Sequence, residues 1–118
     1  MAERLKNIEI TETAENDLVK LAPEVEDTFF SKVKAADKNL ELNASPQQTF
    51  NKRLSGNMHP VLQMNLGRDF RAWFVEGEYL EQLENEKIYA LKVMTKKDSK
   101  RLTGRIQSAL AYVRSVLE

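Results

Sequence analysis

Three short apolar runs in the second half of the chain limit the fold more than any other feature. Each has the length of a β-strand and is bounded by turn residues. The runs are Val61–Leu66, Phe70–Val75 and Ile88–Met94. The segment Gly67-Arg68-Asp69 is short enough to join the first two as a tight hairpin, and a longer acidic loop, Gly77–Lys87, leads to the third. The sequence therefore predicts an antiparallel three-strand meander over residues 60–94.

Alternation along these runs predicts two different faces, because successive side chains of a strand point to opposite sides of the sheet. One face is apolar and is expected to pack on helices; its predicted residues are Leu62, Met64, Leu66, Phe70, Ala72, Phe74, Tyr89, Leu91 and Val93. The other is expected to display Gln63, Asn65, Arg71, Trp73 and Lys92, with Lys96 and Lys97 just beyond the third strand. Arginine and lysine bind phosphate, and an aromatic ring can stack on a base. A nucleic-acid-binding face is favoured, and an ordinary solvated face is the alternative.

The rest of the chain is mostly helical by pattern. Ile8–Ile10 can form an edge strand, and apolar residues at three- and four-residue steps predict helices over 13–21 and 23–38, as a hairpin or one kinked rod. A polar connection follows, with one turn of helix expected after Ser45, and 102–117 has the pattern of a C-terminal amphipathic helix. The predicted fold class is α+β: an N-terminal strand and helical hairpin packed on the three-strand meander, with a C-terminal helix, in one domain spanning 1–118.

Composition narrows the functional classes. The chain is 42% hydrophobic and 31% charged, as in globular proteins, and it has no cysteine, so disulfides and thiolate metal sites are excluded. No apolar run approaches the ~20 residues that span a bilayer, and the first ten residues do not resemble a signal peptide, so a cytoplasmic protein is expected. The net charge is zero, but residues 1–50 carry six Lys/Arg against ten Asp/Glu, and residues 51–118 carry twelve against eight. His59 is the only histidine, either a loop residue ahead of a proline or a catalytic group.

Three segments, in this order, resemble the RelE/ParE toxin superfamily. Asn51-Lys52-Arg53-Leu54-Ser55-Gly56 is similar to the family's K-x-L-x-G loop ahead of the sheet, and residues 64–71 (MNLGRDFR) resemble its L-R-x-G-x-Y-R hairpin. Residues 93–100 (VMTKKDSK) are similar to the F-x-K-K-T-x-K segment of the HigB-like branch. The order of predicted elements also resembles the layout of that superfamily.

The resemblance implies the toxin half of a type II toxin–antitoxin pair. Toxins of the RelE and HigB branches enter the ribosomal A site and cut mRNA by attack of a 2′-hydroxyl on the adjacent phosphate. Carried over by position, Arg71 is expected to contact the scissile phosphate, and Lys96 or Lys97 to stabilise the developing charge. Lys52 and Arg53 are expected to hold RNA, and His59 to serve in proton transfer.

Further RNA-contact candidates come from the polar face and the hairpin. They are Asn65, Arg68, Trp73 and Lys92. The partners implied are a cognate antitoxin, the ribosome and mRNA, with no membrane and no small-molecule cofactor. Two alternatives stay open: a ParE-like poison of DNA gyrase, and an inactive relative kept as an interaction module. The second is supported by Asn65, where the family often has arginine, and by Leu102, where it often has tyrosine.

Overall fold

A five-stranded mixed sheet organises the protein. The computed structural model describes residues 5–117, with only the backbone for Gln47. The strands are β1 (Ile8–Ile10), β2 (Lys52–Arg53), β3 (Leu62–Asn65), β4 (Phe70–Glu76) and β5 (Ile88–Thr95), in the spatial order β1-β5-β4-β3-β2. β1 runs parallel to β5, and all other neighbours are antiparallel. The predicted meander and N-terminal edge strand are confirmed, whereas β2 was predicted as a loop.

Local sequence signals explain where the helices begin. The helices are α1 (Glu12–Lys20), α2 (Pro23–Glu41), α3 (Pro46–Thr49), α4 (Lys96–Thr103) and α5 (Ala109–Leu117). The Thr11 hydroxyl caps α1 by accepting a hydrogen bond from the Ala14 N–H, and Pro23 opens α2, where a missing N–H costs nothing. Ser45 and Gln48 form a reciprocal capping box on α3. The predicted helical hairpin and the turn of helix after Ser45 are confirmed.

Beyond the end of β1, helix α1 contacts the edge of β5. β1 pairs only with residues 88–90 of β5. Beyond them, Oδ2 of Asp17 accepts a hydrogen bond from the Val93 N–H at 3.0 Å, and Oδ1 lies 3.3 Å from Nζ of Lys92. The carboxylate therefore satisfies a strand N–H that has no neighbouring strand to bond to.

The first face of the sheet packs on α1 and α2 as predicted. Phe29 of α2 is fully buried, and its ring is stacked 6.3 Å from that of Phe74. Phe50, after α3, closes the same cluster at 4.7 Å from Phe74. These contacts place the largest apolar cluster between the helical hairpin and the meander.

The second face was predicted to be an exposed polar face, favoured for binding nucleic acid, and its exposure is wrong for most of its area. The C-terminal segment covers it as two helices, α4 and α5, separated at 104–108, where one continuous helix over 102–117 was predicted. Val61, Trp73 and Val75 on the sheet and Val113 on α5 are all fully buried there. The sheet is thus a layer between two sets of helices.

No helix of residues 5–117 is long and apolar enough to cross a membrane.

A β-bulge in β5 changes which side chains share a face. Trp73 is paired with Lys92, but the next residue, Phe74, is paired with Ala90, so Leu91 is one residue extra. An extra residue reverses the alternation beyond it. Leu91 and Tyr89 therefore pack with α5, and the prediction that they lie on the first face with Val93 is wrong.

Candidate functional site

An open groove lies on the second face, where α4 and α5 do not reach across to the β2 edge. Its volume is about 530 Å³. It is lined by Asn51, Lys52, Leu54, Gln63, Asn65, Arg71, Lys96, Ser99, Lys100 and Thr103. The groove is therefore the part of the predicted polar face that remains open.

One wall of the groove is a single face of α4. Thr95 ends β5 and caps α4, its hydroxyl accepting from the Asp98 N–H at 3.0 Å, so the helix starts directly at the sheet. Lys96, Ser99, Lys100 and Thr103 then recur at the three- and four-residue steps that bring side chains to one side of a helix. The two hydroxyls donate to backbone carbonyls within α4, each at 2.7 Å. The two lysines supply the charge of this wall.

The opposite wall is formed by neighbouring strands. Asn65 lies beside Arg71 in the β3–β4 register, and Gln63 lies beside Lys52 in the β2–β3 register. Because Gln63 and Asn65 are two residues apart on one strand, they face the same side. Oδ1 of Asn51, the residue before β2, accepts a hydrogen bond from the Asn65 N–H at 2.7 Å and so extends the contact with β3 beyond the start of β2.

The groove concentrates positive charge. Lys52, Arg71, Lys96 and Lys100 line it, and none of the lining residues is acidic. Within residues 5–117, the ion pairs are all made by other cations. Nη1 of Arg71 donates to three backbone carbonyls of the hairpin, those of Gly67, Arg68 and Phe70, at 2.7 to 3.2 Å. These bonds orient the guanidinium without neutralising its charge, so the groove is suited to an anionic ligand.

The structure brings together four of the residues singled out from the sequence. Lys52, Asn65, Arg71 and Lys96 all line the groove. Lys97 lies beside it, in a shallow depression shared with Asp69, Phe70, Thr95, Lys96 and Lys100. Arg68 is exposed in the hairpin turn, outside the groove lining.

Three other candidates are held elsewhere. Trp73 is fully buried, with its ring edge-to-face against Tyr112 at 5.9 Å, so the expectation of an exposed stacking ring is wrong. Lys92 is held by Asp17 beside α1 and does not line the groove. Nη1 of Arg53 lies 2.6 Å from a carboxylate oxygen of Glu76, and this contact raises the pKa of Arg53 despite its partial burial. The side chain also donates to the Pro60 carbonyl, so its guanidinium is held by contacts within the protein.

His59 lies apart from the groove. It precedes Pro60 and the start of β3, whereas Asn65 and Arg71 lie at the other end of the β3–β4 pair. Its imidazole is exposed, with the ring centroid 6.5 Å from that of Tyr79. The groove therefore contains no imidazole from this residue for proton transfer.

Several lining residues had been given no role from the sequence: Asn51, Gln63, Ser99, Lys100 and Thr103. A signal for the α4 set was present. Thr95 followed three residues later by Asp98 marks a helix start, and the spacing from Lys96 to Thr103 then defines one face. Asn51 could not be found this way, because its position depends on a bond to Asn65 across the sheet edge.

Comparisons with known proteins gave no family for this chain. A scan against protein-family models, a search of curated proteins and a search of solved structures each found no match.

Among residues 5–117, no three His, Asp or Glu side chains come together as ligands for a metal ion. The chemistry of the groove rests on its four cations and its amides.

Proposed function

We propose that this protein is the toxin of a type II toxin–antitoxin system, a ribosome-dependent mRNA endoribonuclease of the RelE/ParE kind. The observation that carries the proposal is the groove itself, in which four cations without a lining carboxylate surround a space of about 530 Å³. The proposal is also supported by the coarse order of elements, in which an edge strand and a helical hairpin come before the meander and a C-terminal helical segment. Of the four residues assigned to catalysis by the resemblance, Arg71 and Lys96 line the groove, whereas Lys97 and His59 do not.

The reaction needs charge stabilisation above all. Attack of the 2′-oxygen on phosphorus breaks the bond from phosphorus to the 5′-oxygen and leaves a 2′,3′-cyclic phosphate. Arg71 can bind two phosphate oxygens at once, and Lys96 and Lys100 can offset the additional negative charge of the transition state. As ammonium groups, these lysines can also donate a proton to the departing 5′-oxygen. The 2′-hydroxyl proton passes to water as the oxygen attacks phosphorus.

An antitoxin is expected to act by covering the groove. A segment rich in acidic and apolar residues, laid across it as a helix or strand, would pair with the four cations and exclude RNA. A small reading frame of that composition next to the gene is the simplest sign of such a partner.

The decisive experiment combines controlled expression with primer extension on cellular mRNA. The wild-type protein is expected to arrest growth and to produce cleavages in frame with the A-site codon. Arg71→Ala should lower cleavage by about a hundredfold, as loss of one transition-state donor typically does. Arg114→Ala, at an exposed arginine of α5 outside the groove, is the matched control and should cleave like wild type.

Two outcomes would overturn the proposal. Growth arrest with DNA-damage signalling and no mRNA cleavage would identify a gyrase poison instead. Normal growth with abundant protein of native circular dichroism would identify a binding module without this activity.

A further inference from the structure

Two amide side chains of the groove have their orientation fixed by their partners. Nε1 of Trp73 donates to Oε1 of Gln63 at 3.2 Å, and the backbone N–H of Asn65 donates to Oδ1 of Asn51 at 2.7 Å. An indole N–H and a backbone N–H can only donate, so the amide atom facing each of them must be oxygen. The usual ambiguity between amide oxygen and nitrogen is thereby removed at both positions. In each side chain the NH₂ group is the end left for a ligand.

The burial of Trp73 fixes the orientation of the Gln63 side-chain amide. The indole is fully buried, and its N–H needs an acceptor because an unbonded polar group in the interior is costly. Rotating the Gln63 amide would place two N–H donors against each other. The carbonyl oxygen of Gln63 is therefore held by the buried indole N–H. Its NH₂ group is the end that remains for the groove, which Gln63 lines.

These donors lie next to the phosphate-binding cations. Gln63 is two residues from Asn65 on β3, about 7 Å along the strand, and Asn65 is paired with Arg71. A nucleotide whose phosphate is bound by Arg71 can place its base against Gln63 and Asn51. On the sheet side, that base would meet hydrogen-bond donors.

We propose that the groove prefers uracil and guanine, which carry a carbonyl at C4 and C6 respectively, over cytosine and adenine, the bases with an amino group at that position, through the amide N–H groups of Gln63 and Asn51. Uracil O4 and guanine O6 accept hydrogen bonds where cytosine and adenine present an exocyclic amino donor. An amino base would place donor against donor and leave both unsatisfied. The inference rests on the proposed RNA function and adds a base preference to it.

The test is direct binding, independent of toxicity and of the ribosome. The affinity of the purified protein for fluorescent oligouridylate and oligocytidylate of equal length is measured by anisotropy at one salt concentration. These homopolymers have the same backbone charge, so their ratio reports base recognition alone. We expect uridylate to bind about three- to tenfold more tightly, the range given by one or two neutral hydrogen bonds.

Two substitutions test the amides while keeping the internal bonds. Gln63→Glu and Asn51→Asp retain an oxygen for Trp73 and Asn65, respectively, but replace the NH₂ donor with an acceptor. Both add negative charge and should weaken all RNA binding, yet the uridylate-to-cytidylate ratio should fall to one or below. Asn16→Asp adds the same charge on exposed α1, away from the groove, and should leave the ratio unchanged.

Equal affinity of the wild-type protein for the two homopolymers would overturn the base preference and leave the proposed RNA function standing, since phosphate contacts alone would explain it. Absence of measurable binding to either would also overturn it. A preference that survives both substitutions would assign base recognition to other residues. The primer-extension experiment decides the proposed function separately.

Discussion

At the scale of single residues, two of the three arginines in the resembling motifs, Arg71 and Arg53, have different surroundings. Arg71 lines the groove with its charge uncompensated, whereas Arg53 pairs with Glu76 across the sheet, with the two side chains only 15% and 12% exposed. The pairing joins residues 23 positions apart, β2 to the end of β4, so no local pattern indicates it. The sequence therefore predicted both arginines as RNA ligands, and only the fold distinguishes them.

Glu76→Gln is expected to lower the free energy of unfolding by about 3 kcal/mol, because it leaves the largely buried charge of Arg53 without a counterion. Urea denaturation measures the change. The matched control is Glu78→Gln, a nearby exposed carboxylate, which should shift the free energy by less than about 0.5 kcal/mol. Equal effects of the two substitutions would show that the ion pair contributes nothing beyond surface charge.

At the scale of elements, the strands of the meander and the helical hairpin follow from hydrophobic periodicity, and the sequence predicted them. The same periodicity could not reveal the bulge at Leu91, because one additional apolar residue inside an apolar strand leaves no trace in composition. Nor did it show that α4 and α5 cover the second face. Trp73 indicated this: a large ring among polar residues belongs more often to a second core than to a binding surface.

The packing of α5 on this second core gives a pH dependence. Burial, reinforced by the negative charge of Asp17, raises the pKa of Tyr112 above its ordinary value of about 10. Above about pH 10 the unfolded chain releases the Tyr112 phenolic proton, whereas the folded state retains it. The contribution of Tyr112 to stability is therefore fully present below about pH 10 and is lost as the pH rises above it. Tyr112→Phe should match wild type at neutral pH and lose less stability between about pH 9 and pH 11, measured by urea denaturation. The same loss in both proteins would contradict this.

At the scale of the whole molecule, zero net charge conceals an asymmetric distribution. The first fifty residues carry an excess of acids, and residues 5–50 include β1, α1, α2 and α3, whose apolar side chains pack on the first face. The groove opens on the second face and takes its cations from residues 52–100. The potential is thus positive where a polyanion would bind, although the overall composition predicts no attraction.

The salt dependence of RNA binding measures this asymmetry. The affinity for a short single-stranded RNA should fall with rising salt, and Lys100→Ala should reduce the slope of log affinity against log salt by about 0.7, the value for one lost phosphate contact on a single strand. Lys32→Ala, at an exposed lysine of α2, removes the same charge outside the groove and should leave the slope unchanged. Equal slopes for all three proteins would show that Lys100 contacts no phosphate.

The walls of the groove come from three separate stretches of chain, residues 51–54, 63–71 and 96–103. None of these can form the groove alone, so it exists only while the tertiary structure is intact. Whatever occupies it binds the native state and not the unfolded one, and must raise the melting temperature by an amount that grows with the logarithm of its concentration relative to Kd. Thermal melts against a panel of nucleotides and oligonucleotides can therefore identify the natural ligand before any reaction has been observed.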